Sequence, residues 1–315
     1  MTKETVKIFI LLSAIILAGC LIFITLKEHR PAVVVKVFPP KPCNRIVSLA
    51  PSTTEILFAL GLGDKVIGVS EFSDYPPEAK KIQRVGALLN PNYEAIVAVK
   101  PDLVIVFDDM GGMENKFASL GIETLTVKHD SLNEILDSIQ IIGIRCGKTE
   151  EAEQIIYKIQ DKIQKIQNQV QDTNRPKVLI SLGHDYSQDP AARPQNIYIA
   201  GDDGFYSEMI KFAGGQNAYD GKIQFPNIGA ESVISMNPQI IIDIAPVEIK
   251  PTDSQVTIKQ WKNFSQVDAA GNDRIYVFTE NYTAIPGPRF ILTLEKIARI
   301  INPQLNRQEN EPNSN

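Results

Sequence analysis

Two segments in different halves of the chain carry nearly the same pattern, and this repeat limits the folds open to it. Tyr93-Glu94-Ala95-Ile96-Val97-Ala98-Val99-Lys100-Pro101-Asp102-Leu103-Val104-Ile105-Val106 is matched by Ala230-Glu231-Ser232-Val233-Ile234-Ser235-Met236-Asn237-Pro238-Gln239-Ile240-Ile241-Ile242-Asp243. In each copy a glutamate opens a short amphipathic run, a proline follows seven positions after it, and an apolar, strand-like stretch comes next. Solenoid repeats recur roughly every 20–50 residues. Two copies this far apart predict two similar lobes instead, and two lobes make a cleft of the kind in which ligands bind.

With 315 residues the chain has room for two domains of ordinary size. Apolar and charged contents of 43% and 22% are those of a globular protein. The net charge of -5, with no basic stripe, gives no reason to expect nucleic acid as a partner. The N-terminus differs: from Ile8 to Leu26 there is no charge, with Lys3 and Lys7 before and Lys27 and Arg30 after. That is close to the ~20 residues a membrane-spanning helix needs. Within it, Leu17-Ala18-Gly19-Cys20 has the form of a bacterial lipoprotein signal, with Cys20 the candidate for lipidation. The apolar run continues past Cys20, so an uncleaved transmembrane anchor, a lipoprotein and a plain cleaved signal all stay open. Either of the first two tethers the folded part to a membrane; basic residues on both sides leave its orientation unsettled, and the extracytoplasmic side is the expected location.

Residues 27–43 read as a linker whose prolines exclude a continuous helix. The expected body is an N-terminal lobe over 44–148, a joining helix over 149–173, and a C-terminal lobe over 174–302. Residues 303–315, rich in Asn, Gln, Glu and Pro, read as a disordered tail. Arg45–Leu49 and Lys65–Val69 predict strands around a helix capped by Thr53 or Thr54 and ended by Gly61. Lys177–Leu182 and Ser207–Ala213 repeat the strand–helix order, giving α/β lobes with largely parallel sheets. Ala152, Ile155, Ile156, Ile159, Ile163, Ile166 and Val170 fall on one face of a helix over Thr149–Asp172, ~36 Å long at ~1.5 Å per residue. Such a helix is a stiff spine that allows only small closure motions. Cys43 and Cys146 are either a disulfide, if exported, or two thiols; the sequence leaves this open.

Arg45-Ile46-Val47-Ser48-Leu49-Ala50-Pro51-Ser52-Thr53-Thr54-Glu55, Phe72-Ser73-Asp74-Tyr75-Pro76-Pro77, Asn92-Tyr93-Glu94 and Lys100-Pro101-Asp102-Leu103-Val104 carry a family likeness. The chain, from about Asn44 to Asn302, resembles the substrate-binding proteins of iron-complex and vitamin B12 ABC importers, and is closest in pattern to the B12 binders. The resemblance implies a binding protein, not an enzyme, with no intrinsic cofactor. It would carry a cobalt- or iron-bearing chelate, work as a monomer, and dock on an ABC permease with its ATPase through Glu94 and Glu231. Paired carboxylates at fixed spacing suit such docking, because charge complementarity sets register and on-rate; each would also sit well at a helix N-terminus for purely local reasons. The ligand site carried over by the resemblance comprises Pro51, Ser52, Thr53, Phe72, Tyr75, Leu88, Asn90, Phe107 and Met110, with His184, Tyr186, Phe225, Tyr282 and Arg289 from the second lobe. Aromatics suit a flat macrocycle, and an arginine suits acidic groups on its rim.

Leu88, Phe107 and Phe225 stand where the B12 binders have tryptophan, so corrinoid, haem and ferric siderophore all remain as ligands. His184 and Tyr282 are the first candidates for an axial bond to a haem iron, ahead of Tyr186, Met110 and Met113. Gly143-Ile144-Arg145-Cys146-Gly147-Lys148-Thr149 lacks the spacing of a phosphate loop. The scattered histidines His29, His129 and His184 argue against a zinc hydrolase. Ser48, Ser52 and Ser181 lack the neighbours of a nucleophile elbow. A receptor or sensor without a permease, and a chelatase-like tetrapyrrole enzyme, are the other readings of the same two-lobed pattern.

Overall fold

The strand that the repeat predicts is present in both copies. The structure, a computed structural model, describes residues 43–107, 112–170, 174–185, 187–245 and 254–305. The first half runs β1 (Ile46–Ser48), α1 (Pro51–Ala59), β2 (Val66–Val69), β3 (Gly86–Ala87), β4 (Asn90–Pro91), α2 (Tyr93–Ala98), β5 (Leu103–Phe107), α3 (Met113–Ser119), β6 (Thr124–Val127) and α4 (Leu132–Arg145). After α5 (Thr149–Gln169) come β7 (Lys177–Gly183), β8 (Ile197–Ile199), α6 (Tyr206–Phe212), β9 (Gln216–Asn217), β10 (Asn227–Ile228) and α7 (Ala230–Met236). The chain continues through β11 (Ile240–Ile244), α8 (Ser254–Lys262), α9 (Asp268–Gly271) and β12 (Ile275–Phe278) to α10 (Phe290–Ile301).

The first sheet has the order β2-β1-β5-β6 and is parallel throughout, as expected. The second, β10-β8-β7-β11-β12 with β9 beside β7, meets the largely parallel expectation with one reversal among its described strands, that of β8. Its cause is local. A parallel pair needs a crossover, usually helical, whereas the described residues between β7 and β8 contain no helix, so β8 returns antiparallel.

The two copies of the repeat occupy equivalent places. Ile46 pairs with Leu103 as Val178 pairs with Ile240. The amide of Asp102 donates to the Arg45 carbonyl at 2.9 Å, and that of Gln239 to Lys177 at 2.9 Å. The side chains repeat the same tie: Asp102 Oδ2 accepts from the Asn44 and Arg45 amides, Gln239 Oε1 from the Lys177 amide. Because strand side chains alternate, each sheet has two apolar faces. Ile46, Leu103 and Ile105 share one buried cluster with Val178, Ile180, Ile240 and Ile242, so a single core runs from sheet to sheet. The outer faces form separate clusters, Val47, Val104 and Val106 with Phe117 on one side, Leu179 and Ile241 with Trp261 on the other.

Helix α5 has the predicted stripe: Ala152, Ile159 and Ile166 are buried, and Ile155, Ile156 and Ile163 pack against the shared core. Its 21 residues span ~32 Å at 1.5 Å per residue. It lies on α4 and α10, and Lys162 reaches Glu295 of α10 at 2.8 Å. The disulfide left open by the sequence is formed: Cys43 and Cys146, with Cα atoms 5.3 Å apart, tie the start of β1 to the end of α4. The N-cap of α1 differs from expectation. Helix α1 begins at Pro51 with Ala50 as N-cap, and Thr53 and Thr54 lie inside it, their hydroxyls donating back to the Ala50 carbonyl at 3.0 Å. A proline at the first helical position, whose missing N–H is not needed there, sets the start.

The apolar stretch 8–26, Cys20, the linker and the tail beyond 305 lie outside the described residues. Among the described residues no helix is long and apolar enough to cross a membrane.

Candidate ligand cleft

A cavity of about 460 Å³ opens between the two sheets. His129 and Asp130, which follow β6, line one side; Leu182, Asp203, Tyr206, Phe225 and Ile244 line the other. Its size is that of a small-molecule site. Two contacts fix the loops that meet at its edge. Glu208 Oε2 of α6 accepts the Leu132 amide at the start of α4, 3.0 Å away. Gly204, at φ +72°, brings its Cα close to the Asp130 carbonyl; a Cβ built there would stand 2.4 Å from that oxygen. Only glycine fits this approach.

The first lobe exposes apolar groups near a loop that is held in place. Phe72 is 51% exposed and Leu89 83% exposed, and Tyr75 stands nearby in sequence. The Phe72–Tyr75 loop is pinned from beneath: Ser73 Oγ bonds Ser70 Oγ at 2.7 Å and Thr54 Oγ1 at 3.0 Å. The Arg84 guanidinium donates to the Ser70 and Ser73 carbonyls and to Asp74, each at 2.8 Å. On the second lobe, Ile223 and the cavity-lining Phe225 are exposed apolar groups.

Arg289 does not stand open toward the cleft. Its Nη2 and Nε donate to Glu55 Oε1 and Oε2 at 2.5 and 2.9 Å, and Nη1 to Asn281 Oδ1 at 3.1 Å. Its guanidinium lies 3.6 Å from the Tyr75 ring centre and 5.6 Å from that of Tyr282. This is a bidentate pair of the strong kind, and it joins α1 to the start of α10 across the seam. Burial raises the Glu55 pKa, and the bond and charge of Arg289 act in the opposite sense without cancelling it.

His184 is also occupied. Its side chain has no exposure; Nε2 bonds Asp243 Oδ2 at 2.9 Å, and Nδ1 lies 3.1 Å from the Asp185 carbonyl. Trp261 Nε1 donates to the same Asp243 oxygen at 2.6 Å. Burial pushes the imidazole pKa down, but the hydrogen bond and charge of Asp243 outweigh it and the net shift is upward. With both ring nitrogens engaged, this histidine serves as a brace in the wall. The phenol of Tyr206 donates to the Thr283 carbonyl at 2.9 Å, and burial holds its pKa well above the usual value.

Of the residues expected at the site, Phe225 lines the cavity, and Phe72 and Tyr75 stand exposed on the opposite lobe. Asn90 is exposed on β4, while Leu88 is half-buried against the core. Ser52 and Thr53 are buried in α1, with Pro51 half-buried at its start. Phe107 is buried with its ring 3.9 Å from that of His129. Tyr282 lies beside Arg289, and Met113 is buried. Met110 and Tyr186 lie outside the described residues. Sequence reasoning passed over His129, Asp130, Asp203 and Tyr206. The one available signal was position: His129 and Asp130 follow a predicted strand, where α/β clefts gather their ligands.

Glu94 and Glu231 occupy the first turns of α2 and α7 and are both exposed. A family model described as periplasmic binding protein matches residues 46–282. The chain belongs to the periplasmic binding protein family. Members of this family are binding proteins. This periplasmic binding protein is 30% identical, over 93% of its length and 95% of the relative's, to the Bacillus subtilis protein named uncharacterized ABC transporter substrate-binding lipoprotein YvrC. It is 28% identical to the vitamin B12-binding protein of Vibrio cholerae, over 82% of this chain and 89% of that one. The crystal structure of the periplasmic haem-binding protein HutB of Vibrio cholerae matches with a TM-score of 0.71 at 20% identity, over 82% of this chain and 99% of that one. At that identity the likeness is one of fold alone.

Proposed function

We propose that this periplasmic binding protein is the substrate-binding component of an ABC importer. It captures a cobalt- or iron-bearing chelate, whether corrinoid, haem or ferric siderophore, and delivers it to a membrane permease that works with its ATPase. It acts as a monomer, tethered through its N-terminus on the extracytoplasmic side. The lobes are residues 44–148 and 174–302, joined by the helix over 149–173. Phe72, Tyr75, Leu88, Asn90 and Phe225 are the proposed ligand contacts, and no bond is made or broken. One observation carries the reading: a cavity lies between two copies of one structural unit, each copy presenting an exposed glutamate in the equivalent first turn. Named relatives that are a substrate-binding lipoprotein and a B12-binding protein support it.

The test separates capture from delivery. Glu94→Ala together with Glu231→Ala is expected to leave ligand affinity unchanged within twofold and to abolish uptake into cells or vesicles carrying the cognate permease. Normal uptake by the double variant would remove the docking role and favour a receptor that works without a permease.

A further inference from the structure

Three buried oxygens of the second lobe have no hydrogen-bond partner among the described residues, and they belong to one seam. They are Asp243 Oδ1 on β11, Ser181 Oγ on β7 and Thr257 Oγ1 on α8. None of the three residues is more than 1% exposed. Ser181 and Asp243 face each other as paired neighbours on adjacent parallel strands. Leu179 and Ile241, two positions before them, lie in the outer cluster with Trp261, so strand alternation puts Ser181 and Asp243 on that outer face too. Helix α8 covers this face. Trp261 Nε1 donates to Asp243 Oδ2, and Thr257, four positions earlier, lies on the same side of the helix. An unmade hydrogen bond in a protein interior is costly, and native structures contain few. Three unpartnered oxygens meeting across one sheet–helix seam match the needs of a buried water, which typically makes about three hydrogen bonds.

We propose that one water molecule is an integral part of this seam, donating to Asp243 Oδ1 and accepting from the Ser181 and Thr257 hydroxyls. The polarities fit. Asp243 Oδ2 already takes the His184 and Trp261 donors, so the carboxylate needs a further donor only at Oδ1. The two hydroxyls can donate, and water both donates and accepts. The site has a positioning task. Helix α8 holds the loop after β7: Gln260 Nε2 donates to the Ser187 and Asp189 carbonyls at 2.8 and 2.9 Å, and Asn263 Nδ2 to those of Pro190 and Ala192. The water ties that helix to β7 and β11, so the loop and the strand that brings Leu182 to the cavity are held as one piece.

Urea unfolding of the full-length protein is compared for wild type, Ser181→Ala, Thr257→Val and the double variant. The two hydroxyls do not bond each other. Without a water, each substitution removes a costly unpartnered group, so the unfolding constant stays the same or falls, and the two effects are independent. With a shared water, each single substitution is expected to raise the unfolding constant about three- to tenfold. The double variant then falls short of the product of the two by at least about twofold, because the same water is lost in both. Unchanged or raised stability in both single variants overturns the proposal, and so do independent losses. A crystal structure of the wild-type protein is the second measurement, and it decides the matter alone if a variant does not fold. Density for a water within hydrogen-bonding distance of at least two of the three oxygens is the expected result. A seam with no such water, with a hydroxyl bonded directly to Asp243 Oδ1, or with a metal ion in its place overturns it.

Discussion

The two copies of the repeat share a backbone and differ in what they bury. Val106 and Asp243 occupy the same place, three residues past the first strand residue of their copies, Leu103 and Ile240. Val106 is part of an apolar cluster with Ile96 and Phe117. Asp243 has no exposure and holds His184 and Trp261 by two hydrogen bonds. The same strand is therefore covered by fungible apolar packing in one lobe and by an interlocked polar group in the other. Apolar cores tolerate exchanges that conserve volume; a buried polar network holds only when all its members are present. The lobe with the network is also the one whose β7 contributes Leu182 to the cavity. The duplication supplies the scaffold, and the second copy has been specialised to brace a cleft wall.

The largest expected effect comes from erasing that specialisation. Asp243→Val copies the first lobe's residue into the second and leaves the His184 imidazole and the Trp261 N–H without their acceptor. Breaking a buried pair from one side costs about 3–5 kcal/mol, measurable by urea denaturation. The loss should depend on pH. Because the folded-state pKa of His184 is raised, its stabilising contribution is complete below the unfolded value of about 6.5 and is lost as pH rises through the folded value. The penalty of Asp243→Val is accordingly greater near pH 5.5 than near pH 8.5. A loss below about 1 kcal/mol at both pH values would contradict the contrast between the lobes.

A smaller effect separates the two tips that carry Glu94 and Glu231. Asn92 caps α2, its Oδ1 accepting the Ala95 amide at 3.0 Å, while α7 starts from Gly229 with no side-chain cap. Asn92→Ala should cost about 1 kcal/mol. Gly229→Asn should gain a few tenths of a kcal/mol, since Gly229 has an ordinary φ of −98° and a Cβ there meets nothing within 4 Å. Thermal denaturation of the two variants, shifting in opposite directions, checks both.

The fold was largely legible because its signals are local. The apolar stripe of α5 and the strand–proline pattern of the repeat need only neighbouring residues to be read. The site was less legible because its bonds are long-range. Arg289 looked like a ligand arginine until Glu55, 234 positions away in sequence, was seen to hold it. His184 looked like an axial ligand until Asp243 and Asp185 were found on its two nitrogens. Asp203 and Tyr206 gave no motif; only the meeting of the lobes makes them a wall. The reversal of β8 within an otherwise parallel second sheet was not read, because strand direction depends on the connection before β8, which hydrophobic pattern does not report.

The smallest effect tests whether the copies are equivalent in energy as well as in shape. Each places the residue before its proline in the left-handed region, Lys100 at φ 47° and Asn237 at φ 43°. Before proline the right-handed helical region is disfavoured, so helix α2 or α7 must be left abruptly, and this turn does it. For most side chains the left-handed region costs about 1–2 kcal/mol, and asparagine reaches it more easily. Asn237 also accepts the Asp268 amide through Oδ1 at 2.8 Å, a tie that contributes to its turn. The Lys100 side chain is exposed, and its carbonyl accepts Arg45 Nε at 2.9 Å, a bond asparagine would keep. Lys100→Asn should therefore raise stability by up to about 1 kcal/mol, about 2–4 °C in Tm for a chain of this size. Asn237→Lys should lose more than that, because it gives up the Asp268 bond as well. A fall in Tm for Lys100→Asn would mean that the lysine side chain supports its turn in some other way, and that the two turns match in backbone but not in energy.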